Sequence, residues 1–195
     1  MRFYITLLLF CKETCRSGKF LRPLHCRMIT SLLKRMVWAL LLIAIQVLVL
    51  DKVHPWGYGA PLVCPLIVIT LPLGTLRTEA LLWGFGVGFV ADIFAGTPGI
   101  SSAALTFIAF LQPPVLKLMA PRDSEEELRP SFSAMGRWNY IQFIAVFLLL
   151  HHLVYFALEG FSYFHITDIA ISMGVSYAAS FLLIIIIENI RNPQK

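Results

Sequence analysis

Six apolar stretches, Leu32–Leu50, Ala60–Leu76, Ala80–Ala95, Ser101–Met119, Asn139–Leu158 and Asp168–Ile187, follow one another between boundaries of charge, Pro or Gly. Each is close to the ~17–25 residues that a helix needs to cross the hydrocarbon of a bilayer. Segments that are apolar all round have no face to turn to water, so lipid is the solvent that suits them. Composition agrees: 58% of residues are hydrophobic and 14% charged, with a mean hydropathy of +0.77. Soluble domains hold about half apolar and about a quarter charged residues. The sequence therefore predicts an all-α integral membrane protein, a bundle of six transmembrane helices forming one domain over residues 28–195.

Basic residues orient such a bundle, because short loops rich in Lys and Arg stay in the cytoplasm. Lys34, Arg35, Arg77, Lys117, Arg122, Arg129, Arg137, Arg191 and Lys195 fall on one side of the six stretches, and Lys52 on the other. Both termini are expected in the cytoplasm. The net charge of +5 is no signal for nucleic acid, since the excess lies in residues 1–27, where Arg2, Lys12, Arg16, Lys19, Arg22 and Arg27 face only Glu13.

That basic leader also holds Cys11, Cys15 and Cys26. Its apolar run, Phe3–Phe10, is short for a signal peptide, and no small-residue cleavage site follows. Cys11 and Cys15 with His25 and Cys26 lack the paired spacings of zinc sites. The expectation is a leader that is disordered or derives from an upstream start, with Met28 as the natural beginning, and no metal or cofactor.

The third stretch carries the most unusual pattern. Gly84, Gly88, Asp92 and Gly96 recur every four residues, on one stripe of a helix that is otherwise hydrocarbon. A carboxylate in the hydrocarbon costs a few kcal/mol on insertion scales, so it should face protein. The stripe, with Pro98 and Gly99 behind it, is expected to be a helix-packing or partner interface. On that reading Gly88→Leu should disturb assembly with a partner while leaving insertion intact.

The fifth stretch adds a second polar stripe of His151, Tyr155 and Glu159, with His152 beside it. Asp92 and His151 both fall in the outer halves of their helices, so the two stripes are expected to face each other and to satisfy one another in a dry setting. Further along, Pro65 and Pro72 should interrupt the second helix and Pro113–Pro114 the fourth. Ser101 or Ser102 can cap the start of the fourth helix, and Thr167 with Asp168 the start of the sixth. Trp56 and Tyr58 suit an interfacial belt, residues 121–130 a solvated cytoplasmic turn, and Glu188 sits near Arg191.

Catalysis requires a nucleophile with its base, paired carboxylates at a cleft, or a metal set. No Gly-x-Ser-x-Gly elbow, phosphate loop or His-Glu-x-x-His motif occurs. An intramembrane enzyme built on Asp92 with His151 or His152 is the residual catalytic reading. No internal repeat of the kind common in transporters is visible.

From Met28 onward the chain resembles the rod shape-determining MreD family in its Bacteroidetes-type form. The matching pieces are Leu33-Lys34-Arg35, Gln46-Val47-Leu48-Val49-Leu50, Gly88-x3-Asp92-Ile93-Phe94-x-Gly96-Thr97-Pro98-Gly99, Phe107-Ile108-Ala109-Phe110-Leu111 before Pro113, and His151-His152-Leu153-Val154-x-Phe156-x-Leu158-Glu159. The resemblance implies a non-enzymatic multi-pass subunit of the cell-elongation machinery in the bacterial inner membrane. Its implied partners are MreC, the actin-like MreB, the RodA glycosyltransferase and a penicillin-binding transpeptidase. The implied fold is similar to the substrate-binding S components of energy-coupling-factor vitamin transporters. Such a transporter subunit is the alternative function, although the Ala-x3-Ala pattern common in its first helix is missing, Ala39 and Ala44 being five apart.

Overall fold

A computed structural model describes residues 22–52, 59–72, 74–119, 130–160 and 166–191. All regular elements among them are helical: α1 (Arg22–Leu48), a 3-10 turn (Leu50–Lys52), α2 (Pro65–Ile69), α3 (Arg77–Ala95), α4 (Ile100–Met119), α5 (Phe132–Met135), α6 (Arg137–Gly160) and α7 (Ile166–Arg191). Five segments are helical, long and apolar enough to cross a membrane: Leu32–Lys52, Arg77–Ala95, Ile100–Met119, Arg137–Gly160 and Thr167–Arg191. Cys11, Cys15, Trp56, Tyr58 and the acidic connection 121–129 lie outside the described residues.

Contacts divide the chain into two units, residues 1–41 and residues 42–195. In the first, α1 begins at Arg22 and runs across residue 27 without a break, so the leader boundary is not marked by the end of a helix. Leu32, Leu33, Met36, Val37, Leu40 and Leu41 are all exposed. Large apolar side chains on several sides of one helix are what hydrocarbon, rather than water, tolerates.

In the second unit α3 packs along α4, α4 against α6, and α6 against α7. The reason for this order is visible in the faces. On α3 the small residues Ala80, Gly84, Gly88 and Ala91 point inward, while Leu82, Phe85, Phe89 and Ile93 are more than half exposed. On α6 the aromatic series Tyr140, Phe143 and Phe147 is fully buried, Phe143 and Phe147 meeting with ring centroids 4.7 Å apart. The small face lets backbones approach, and the aromatic ladder fills the volume that remains.

The expected helix over Ala60–Leu76 does not form as a continuous span. Among the described residues there, only Pro65–Ile69 is helical. The physical reason is the loss of backbone donors at Pro61, Pro65 and Pro72, which the apolar composition conceals. The segment is nonetheless dry, with Val63, Leu66, Val68, Ile69 and Leu71 at most 3% exposed. It begins near the carboxyl end of α1 and ends at Arg77, which opens α3. Because α3 is 19 residues long, its two ends are about 28 Å apart. The segment therefore runs the length of the unit, packed on α3, α4 and α6 through α2.

Irregular backbone in so dry a place must have its polar groups met by side chains. Gln46 does this at one end: its Nε2 donates to the Pro61 carbonyl (3.1 Å) and its Oε1 accepts the Val63 N–H (2.8 Å). The Leu62 N–H donates to Ser180 Oγ of α7 (2.7 Å). Further along, Gln112 Nε2 of α4 donates to the Leu71 carbonyl (2.9 Å), and Thr70 Oγ1 to the Leu66 carbonyl (2.9 Å).

Candidate functional site

Asp92 ends the inward face of α3 and is 4% exposed. The next residues turn the chain sharply. Gly96 closes α3 with φ 69°, its N–H donating to the Asp92 carbonyl at 2.9 Å, and Gly99 follows with φ 88°. Both backbones lie in the left-handed region that glycine enters at least cost. A reversal this short brings the first turn of α4 back beside the Asp92 side chain.

The carboxylate then meets the start of that helix. Oδ1 accepts the Ser101 N–H (2.8 Å), and Oδ2 accepts both the Ser102 N–H (2.9 Å) and the Ser102 hydroxyl (2.6 Å). Thr97 Oγ1 lies 3.3 Å from Oδ1. The first amides of any helix lack intrahelical acceptors, and the positive end of the helix dipole favours negative charge there. Asp92 is thus a cap supplied by the preceding helix, and Ser101 and Ser102, expected to cap α4 themselves, are the groups being capped. Every contact is a donor to the carboxylate, which leaves it fixed.

Gly84 and Gly88 extend the same seam. A Cβ at Gly88 would lie 2.5 Å from Ser102 Cα and 2.7 Å from the Ser101 carbonyl, and one at Gly84 would lie 2.7 Å from the Leu105 carbonyl. The glycines press on α4 backbone, so this part of the stripe is an interface within the chain. Gly96 and Gly99 have nothing within 4 Å of a notional Cβ and serve the turn instead. Pro98 lies between them, exposed.

The two stripes meet through Tyr155, which lies close to Thr97 and Asp92, but no hydrogen bond joins Asp92 and His151 among the described residues. The amides of α4, only nine and ten residues away in sequence, occupy the carboxylate. His151 is 2% exposed, stacks on Tyr155 at 6.0 Å between centroids, and its Nδ1 has no hydrogen-bond partner among the described residues. His152 is fully buried and fully engaged. Its Nδ1 lies 2.8 Å from the Leu148 carbonyl and its Nε2 3.2 Å from Ser180 Oγ. A carbonyl only accepts, so Nδ1 donates there, and in the neutral ring Nε2 accepts the Ser180 hydroxyl hydrogen. Ser180 meanwhile accepts the Leu62 N–H, so the polar residues of α6 and α7 hold the broken segment.

Tyr155 and Glu159, one and two turns beyond His151, reach a cavity at the end of the unit where α1, α3 and α6 finish and α7 starts. The opposite ends of α3, α4, α6 and α7 carry Arg77, Lys117, Arg137 and Arg191. Asp168, expected as a cap with Thr167, lies inside the first turn of α7, which opens at Ile166. Glu188 pairs with Arg191 at 3.3 Å.

Sequence reasoning passed over Gln112 and Ser180, and met Gln46 only as part of a matching segment with no partner assigned to it. Their signal was present: each is an amide or hydroxyl group in a mostly apolar helix, where an unmet polar group is costly. No protein-family model, curated protein or solved structure matches the chain. Fold and site together define an all-helical protein, among the described residues, with five helices able to cross a membrane and a buried acidic joint between two of them.

Proposed function

We propose that the chain is a non-enzymatic, multi-pass subunit of the bacterial cell-elongation complex, supporting peptidoglycan synthesis and cell shape by binding MreC and its associated wall synthases. It crosses the inner membrane six times, with the Ala60–Leu76 passage as a broken second crossing and both termini in the cytoplasm. The clustering of Arg77, Lys117, Arg137 and Arg191 at one end of the helices, opposite Lys52, supports that orientation.

One observation carries the reading. The Gly88-x3-Asp92-x3-Gly96-Thr97-Pro98-Gly99 motif, the most specific piece of the MreD resemblance, is consumed in joining α3 to α4. A carboxylate held by two backbone amides and a hydroxyl stabilises a shape. A general base would instead need a proton within reach. The partners expected are MreC, MreB, RodA and a penicillin-binding transpeptidase.

Affinity purification of the full-length chain from its native membrane, read by quantitative mass spectrometry, tests the assignment. Recovery of MreC and a wall synthase in near-equal amount is the expected result. Recovery of the ATPase pair of a vitamin transporter in their place would overturn it and favour the transporter alternative.

A further inference from the structure

The helix ends that converge away from the basic residues do not close on one another. They enclose a cavity of about 780 Å³. Pockets for organic ligands commonly measure ~300–1,000 Å³. Among the described residues Asp51, Glu159 and Asp168 line it against one ammonium, that of Lys52, with Tyr155 and Phe156 in its wall. One oxygen of Asp51 accepts from Gln46 Nε2 at 2.7 Å. Glu159 and Asp168 form no hydrogen bond or ion pair among the described residues.

A second observation lies just beneath. His151 Nδ1 and Ser176 Oγ are buried polar atoms without a partner among the described residues. His151 stacks on Tyr155, and Ser176 Oγ abuts Gly59; Tyr155 and Gly59 both line the cavity. Buried polar atoms without partners are rare in folded proteins and mark places where another group completes the network.

We propose that this cavity binds a small organic cation, an ammonium carried on an apolar body. Three carboxylates against one ammonium give the space a negative potential, which low-dielectric walls strengthen. Two aromatic residues in the lining, Tyr155 and Phe156, suit a cation and its hydrocarbon. The carboxylates do not converge on one point: among the described residues no group of three acidic, His or Cys side chains is close enough to share a metal ion. A bulky cation suits that spread better than a compact one. The inference is independent of the elongation role, which rests on Asp92 and its resemblance.

The test uses the full-length protein in lipid nanodiscs and two probes of similar size, 2-phenylethylammonium and 3-phenylpropanoate, followed by calorimetry. The expected result is saturable binding of the ammonium, about tenfold or more tighter than the carboxylate, weakened by added salt. Glu159→Gln with Asp168→Asn should weaken the ammonium about tenfold, and Lys52→Gln should leave it equal or tighter. Equal or tighter binding of 3-phenylpropanoate, or no saturable binding of the ammonium, would overturn the proposal. So would a folded double variant that binds as the parent does, and if that variant does not fold, the charge preference of the parent and the Lys52→Gln result decide. Nanodiscs with and without phosphatidylethanolamine separate two sources of the ammonium: competition by the lipid assigns it to a headgroup, equal affinity to a free amine.

Discussion

Asp92 holds Ser102 twice, accepting its backbone N–H at 2.9 Å and its hydroxyl at 2.6 Å on the same oxygen. The joint between α3 and α4 is therefore chemical as well as steric. Asp92→Asn keeps the size but places an NH2 against one of two amides that need an acceptor. The expected loss of unfolding free energy is about 1–3 kcal/mol, with increased protease sensitivity between Gly96 and Ser101. Thermal unfolding in nanodiscs checks this, and a variant as stable as the parent would show that the cap contributes nothing.

The seam glycines separate into two kinds. Gly88→Ala forces backbone apart at Ser102 and should cost about 1–3 kcal/mol. Gly86, on the same helix but exposed with nothing within 4 Å of a notional Cβ, should accept Ala with a gain of about 0.5–1 kcal/mol. Measuring both in one assay is decisive, since a general effect of helix propensity would move them together. The larger Gly88→Leu change disrupts the chain's own α3–α4 packing, so it does not isolate a partner contact.

Gln46 and Gln112 replace the hydrogen bonds that a helix over Ala60–Leu76 would have made. Gln46→Leu strands the Pro61 carbonyl and the Val63 N–H, and should cost more than Gln112→Leu, which strands the Leu71 carbonyl alone. Each stranded group is worth about 1–3 kcal/mol. The two sites share no partner, so the double variant should lose the sum of the single losses. Amide hydrogen exchange at Val63 gives a local readout, fast in Gln46→Leu and slow in the parent.

The adjacent histidines should behave differently. His152→Leu removes contacts to Leu148 and Ser180 and is expected to cost about 1–3 kcal/mol. His151→Leu removes a ring whose Nδ1 has no partner among the described residues and should cost less than about 1 kcal/mol. Equal losses would contradict the asymmetry, and unfolding curves of the two variants read it directly.

The parts of this fold legible in the sequence are those that side chains announce. Five apolar stretches coincide with helices able to cross a membrane. Glu188 and Arg191, three residues apart on a helix, meet at 3.3 Å. The broken passage was hidden because hydropathy reports where a segment is dry, whereas proline decides whether its backbone can bond to itself. Asp92 could be read as facing protein from its glycine neighbours. Its partners could not, because they are backbone amides at a helix start, and amides carry no residue signature. A side chain such as His151 looks like the natural mate of a carboxylate, yet the nearer amides take it.

The most direct measurement is solid-state NMR of the bilayer-embedded protein with 13C-labelled aspartate and 15N-labelled serine and histidine. Dipolar contacts from the Asp92 carboxyl carbon to the amide nitrogens of Ser101 and Ser102, and none to the His151 imidazole, are the expected result. A carboxyl carbon that contacts His151, or acyl chains, and neither serine amide would contradict the view that Asp92 serves assembly.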